Sequence, residues 1–212
     1  AAEVGKGGRN DPVQVALARL RQLAAHEVGH ALGLVHNMAG STQDRASVMD
    51  YPGPRVTLVD GAPDLGDAYG VSLGAWDMFS IDWLYGAPAP GADEAADADA
   101  KVRAVLASGL RFVGDEHARN PASGQPWGSL WDDGADPVAE LRPMSAVRQA
   151  AGARFGLNAL RPDEARANLR RKFVPVWLLA RYQVDATAKL VGGVEFRTAV
   201  ASGPQGGGAS VA

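Results

Sequence analysis

Residues 24–37 read AAHEVGHALGLVHN. The chain has only four histidines, and three of them, His26, His30 and His36, stand in this stretch. Glu27 follows the first. The preceding text, NDPVQVALARLRQL, carries a helix through the first two histidines. Asp11 is its N-cap, and Pro12 fits the first helical position, where a missing N–H costs nothing. Apolar residues then recur at helical spacing: Val13, Ala16, Leu17, Leu20, Leu23 and Ala24. On such a helix His26 and His30 face one way, about 6 Å apart along the axis. Glu27 points roughly 100° further round, too far to be an equal ligand but within reach of a water at the same site. Gly33 can take the left-handed conformation that ends a helix, so the chain turns back and brings His36 to the same cation.

Three neutral nitrogens with an open fourth position suit catalytic zinc. Bound zinc lowers the pKa of its water toward about 7, and Glu27 is placed as the general base that takes the proton.

His26, Glu27, His30, Gly33 and His36 together complete H-E-x-x-H-x-x-G-x-x-H. Downstream, SVMDYPGP supplies Ser47-x-Met49-x-Tyr51. On these residues the chain resembles the metzincin-clan zinc metalloproteases. The resemblance implies that Met49 forms a methionine turn, packing beneath the metal without binding it. It places Tyr51 at the tyrosine that, in astacin-like and serralysin-like members, ligates zinc and swings away to stabilise the transition state. The segments AWDMFSIDWLYG, WDDGADPVAEL and ARYQVDATAKLVGG are similar to the C-terminal part of large bacterial zinc-dependent metzincin proteases. The resemblance therefore implies a Zn2+ cofactor, a protein or peptide substrate and a secreted or periplasmic location. Metzincins place a mostly parallel sheet before the zinc helix, and nothing before His26 reads as a strand. The upstream part of a parent chain is thus an expected partner. Asn37 follows the third histidine where better-known families carry other residues, so the subfamily stays open.

The expected fold is mainly α: the C-terminal half of a metzincin-like (α+β) catalytic domain lacking its upstream sheet, then a helical domain. Residues 1–86 hold the zinc helix, the methionine turn and a following helix, SLGAWDMFSIDWLYG, capped by Ser72. Residues 87–100, a Pro/Ala/acidic stretch, read as a linker. Residues 101–212 form the helical C-terminal domain with a flexible tail, GPQGGGASVA. There KVRAVLASGL is helical, an Asp136–Pro137 start opens a helix kinked or broken at Pro143, and a last helical stretch splits at Pro175 and stops at Gly192 and Gly193. The strand candidates are residues 55–59 and 194–201.

The composition narrows the partners. With 212 residues, 46% hydrophobic, the chain can bury a real core. A net charge of −3 gives no footprint for nucleic acid or an anionic membrane. No apolar run reaches the ~18–20 residues of a membrane span. The absence of cysteine excludes disulfides and thiolate metal sites. Asp60, Asp64 and Asp67 share a loop but match no calcium motif, so they read as solvated carboxylates. Asp115, Glu116 and His117 read as a capping or turn element rather than a second metal site. The function so read is a zinc metalloendopeptidase. Its rivals are a zinc amidase acting on a non-protein amide, and an inactive fragment whose C-terminal helices are a binding module.

Overall fold

The computed structural model describes residues 4–120, 122–196 and 210–211. The chain is mostly helical, as expected. Helix α1 spans Pro12–Ala31, with Asp11 at its N-cap accepting from the Val13 N–H. The same carboxylate accepts from Gly5 and Gly7 N–H, which pulls its pKa down and folds the leading residues over the helix start. The buried side of α1 carries Gln22, His26 and Gly29. The apolar period lies elsewhere: Val13, Leu17, Leu20, Val28 and Leu32 are all exposed.

After a 3-10 turn at Gly40–Gln43, strands β1 (Thr57–Val59) and β2 (Ala62–Asp64) pair antiparallel, Val59 opposite Ala62. Asp60 and Gly61 form the link, both with positive φ, as a two-residue hairpin turn requires. The strand expected at 55–59 is thus half of a hairpin. Helix α2 covers Ala75–Tyr85. Its N-cap is Gly74 rather than Ser72, because Asp77 reaches back to accept from the Gly74 N–H at 2.8 Å and fixes the start there.

Helix α3 (Glu94–Ser108) starts inside the stretch read as linker, with Asp93 accepting from the Ala96 N–H. A short α4 covers Asp115–Ala118. Helix α5 (Pro137–Arg154) runs unbroken through Pro143, so the expected break does not occur. Pro143 sits in its second turn, where the proline removes one bond but need not end the helix. Helix α6 (Asn168–Trp177) contains Pro175, so the split falls after that residue, at Leu178–Ala180, before α7 (Arg181–Lys189). Strand β3 (Val194–Glu195) pairs with β4 (Ser210–Val211). The strand ends before Phe196, and residues 197–201 of the expected strand, with most of the tail expected to be flexible, lie outside the described residues.

Helix α5 is the hub of the C-terminal half, packing against α6, α7 and the β1–β2 hairpin, while α2 packs on α3. Gln183 in α7 is fully buried, its Nε2 donating to Pro137 O at 3.1 Å and its Oε1 accepting from Asp133 N. Arg55 grips both oxygens of Asp133 at 2.7 and 3.0 Å, joining the hairpin base to the loop before α5. A small apolar core of Met38, Ala39, Val113 and Ala118, covered by Tyr51, Trp127 and Leu130, sits beside the three histidines.

Candidate metal centre

The end of α1 decides where the third histidine goes. Gly33 has φ +88°, a left-handed conformation open to glycine at little cost. Leu34 N donates to Gly29 O at 3.0 Å and Gly33 N to His30 O at 2.9 Å, the paired bonds of a Schellman stop. The chain reverses, and His36 returns to the face that carries His26 and His30.

Each imidazole is anchored from behind through Nδ1. His26 Nδ1 is 2.7 Å from Val48 O, His30 Nδ1 is 2.9 Å from Leu34 O, and His36 Nδ1 is 2.7 Å from Asp115 Oδ2. A carbonyl can only accept, so Nδ1 is the protonated nitrogen in His26 and His30. The Asp115 carboxylate imposes the same tautomer on His36. Burial raises the Asp115 pKa, but hydrogen bonds from His36 and Arg119 outweigh it and hold the group below the usual range. All three Nε2 lone pairs therefore converge. His30 Nε2 lies 3.1 Å from His26 Nε2 and 3.2 Å from His36 Nε2. Facing lone pairs repel unless a cation sits between them. Tetrahedral zinc with ~2.0–2.1 Å bonds would space its nitrogens about 3.3 Å apart, so the donor set fits the ion. Among the described residues this is the group of three or more metal-type ligands that stands out. Burial also keeps His26 below the ordinary histidine range, which favours the neutral ligand form.

The turn that carries Val48 O is pinned from below. Met49 is buried, with its Sδ packed directly on Gly29 between the two helical histidines. Asp77 of α2, also buried, accepts from Ser47 Oγ at 2.7 Å and Val48 N at 2.8 Å. Asn37 is fully buried and ties the reversed chain down: its N–H donates to Met49 O, its Nδ2 to Arg111 O, and its Oδ1 accepts from Val113 N.

Tyr51 lies half-buried at the edge of the cluster, its ring 5.3 Å from His26 and 4.8 Å from His36. Trp131 packs on its far side at 5.5 Å, and the Arg119 guanidinium lies 4.9 Å over its ring. Glu27 is exposed on α1 next to His26. The remaining acids sit elsewhere. Asp64 is not the solvated carboxylate expected: it is buried and held by Arg9 and Asn10, while the exposed Asp67 pairs with Arg45. His117 stacks on Phe196 at 5.3 Å, outside the cluster.

The sequence reading missed Asp115, Asp77, Asn37 and Arg119 as site residues. Asp77 stood in a segment read as a helix capped by Ser72, and Asp115 in one read as a capping or turn element. No local spacing links either to a histidine.

No curated protein and no solved structure matches the chain. One family model, described as Met-zincin, matches residues 8–210. Met-zincins bind zinc, and His26, His30 and His36 form a site that fits it. With nearly its whole length matched, the chain belongs to the Met-zincin family.

Proposed function

We propose that the chain carries the catalytic centre of a zinc metalloendopeptidase that hydrolyses peptide bonds in proteins or peptides. The observation that carries this reading is the convergence of three anchored Nε2 lone pairs. Zinc, when bound there, supplies Lewis acidity to a water and to the scissile carbonyl.

The remaining work falls to side chains. Glu27 takes a proton from the attacking water as its oxygen bonds to the carbonyl carbon. It returns that proton to the amide nitrogen as the C–N bond breaks, leaving a carboxylic acid product and an amine. Tyr51 supplies a phenol hydroxyl for the oxyanion of the tetrahedral intermediate. Met49 gives the three histidines an apolar floor.

In this reading residues 1–86 hold the zinc helix and the methionine turn, and residues 101–212 form the helical part that reaches back through Asp115. The exposed apolar stripe along α1 supports a further partner, the upstream sheet of a parent chain, which would cover Val13, Leu17, Leu20 and Val28. Among the described residues no helix is long and apolar enough to cross a membrane. A secreted or periplasmic location is part of the proposal.

The test is Glu27→Gln in the zinc-loaded protein, assayed on an unstructured protein substrate and by elemental analysis. Zinc should be retained while turnover drops by about 10²–10⁴. Full turnover with metal retained would remove Glu27 from the mechanism. Failure of the parent to hold zinc in the absence of chelator would remove the metal.

A further inference from the structure

His36 differs from the other two histidines in what stands behind it. His26 and His30 are held by neutral backbone carbonyls 22 and 4 positions away, whereas His36 is held by a carboxylate 79 positions away. That carboxylate has a second partner. Asp115 Oδ1 accepts from Arg119 Nε one helical turn on, and the Arg119 guanidinium covers the Tyr51 ring. The Tyr51 ring in turn lies 4.8 Å from the His36 ring. The four side chains close a circuit: His36, Asp115, Arg119, Tyr51 and back to His36.

Resting on the metal-centre reading, we propose that Asp115 and Arg119 are a clasp of positioning residues that sets His36 as the third ligand and holds Tyr51 beside it. The backbone is built to deliver the clasp. Asn37 accepts from Val113 N and donates to Arg111 O, and Met38 N donates to Val113 O at 2.8 Å. The segment before α4 is thereby laid alongside the residues that follow His36, and the first turn of α4 comes up behind the imidazole. An exposed Asp–Arg pair one turn apart contributes little by itself. A carboxylate on the outer nitrogen of a metal-binding histidine does more, because it fixes the tautomer and ring and raises ligand basicity. Sitting beside Trp131 and Arg119, Tyr51 is then coupled to the ligand set through Asp115 and not only through ring contact.

The experiment measures zinc affinity by competition with a chelator, and the imidazole nitrogen shifts of His36 in the metal-free protein, for the parent and its variants. Asp115→Ala should weaken zinc by about 10–100-fold and release His36 from the Nδ1-protonated tautomer. Asp115→Asn keeps an acceptor oxygen and the volume, so it guards against a folding defect. It should keep the tautomer but still bind zinc more weakly than the parent. Arg119→Ala should weaken zinc less than Asp115→Ala, and the double variant should be no worse than Asp115→Ala alone, since Arg119 acts through Asp115. Glu116→Ala, the neighbouring acid in α4, should match the parent. Unchanged zinc affinity in both Asp115 variants with unmoved His36 shifts overturns the clasp. Additive losses in the double variant remove Arg119 from it. A parent that binds no zinc, yet loses the His36 tautomer in Asp115→Ala, supports the clasp while refuting the metal-centre reading.

Discussion

Asp77→Ala should be among the most damaging single changes outside the histidines. Asp77 is 1% exposed, and its two oxygens accept from Ser47 Oγ, Val48 N and Gly74 N at 2.7–2.8 Å. Alanine removes every acceptor at once. Gly74 N opens a helix near the surface and can turn to water, but Ser47 Oγ and Val48 N are buried. A buried donor left unpaired costs about 1–3 kcal/mol, so two cost about 2–6 kcal/mol. At ~2–4 °C per kcal/mol for a chain of this size, a loss near 4 kcal/mol lowers Tm by roughly 8–16 °C. Zinc affinity should fall as well, because Val48 O is the anchor of His26 Nδ1. Asp77→Asn separates geometry from charge. Its oxygen can keep the two N–H bonds while its amide turns to Ser47 Oγ, so the loss should be only about 1 kcal/mol. Thermal unfolding followed by circular dichroism, with chelator competition on the same samples, reads both effects. An alanine variant within about 0.5 kcal/mol of the parent would refute the view that Asp77 holds the turn.

Burial raises Asp50 to about 7 and Asp132 to about 8, and Asp132 Oδ2 has no hydrogen-bond partner among the described residues. Because both folded values exceed the unfolded ones of about 4, their stability contribution is full below that pH and is lost as pH rises toward about 8. Asp132→Asn should flatten that decline in denaturant titrations run across the range, and an unaltered pH profile would reject the assignment. Gly29→Ala should destabilise by about 1–3 kcal/mol despite the better helix propensity of alanine, since the added Cβ is driven into Met49 Sδ. A raised denaturation midpoint would show that the floor yields.

Much of the centre was legible because its ligands are local. The spacing of His26, His30, Gly33 and His36 is a helical period followed by a glycine stop, and both are written in a dozen residues. The Asp11–Pro12 start was legible for the same reason. Asp115 and Asp77 were not, because each acts on a residue far along the chain, and no period connects Asp115 to His36 or Asp77 to Val48. The hairpin turn is carried by Asp60–Gly61, two residues that take the positive φ such a turn requires. Helix starts drifted where a side chain further in overrode a plausible cap, as Asp77 did at Gly74. The α1 stripe shows the limit of periodicity: it marks an apolar face without saying what covers it.

All three ligand nitrogens come from residues 26–36, and the turn between them is closed by backbone bonds of Gly33 and Leu34. Closing so short a loop costs little chain entropy, and contacts this local form early in folding. A metal ion would therefore meet its three ligands at the end of α1 before Asp77 or Asp115 has arrived. The distant carboxylates would then act as latches that slow escape. In kinetic terms the cluster would separate entry from residence: the local sequence would set how fast metal enters, and the tertiary fold how long it stays.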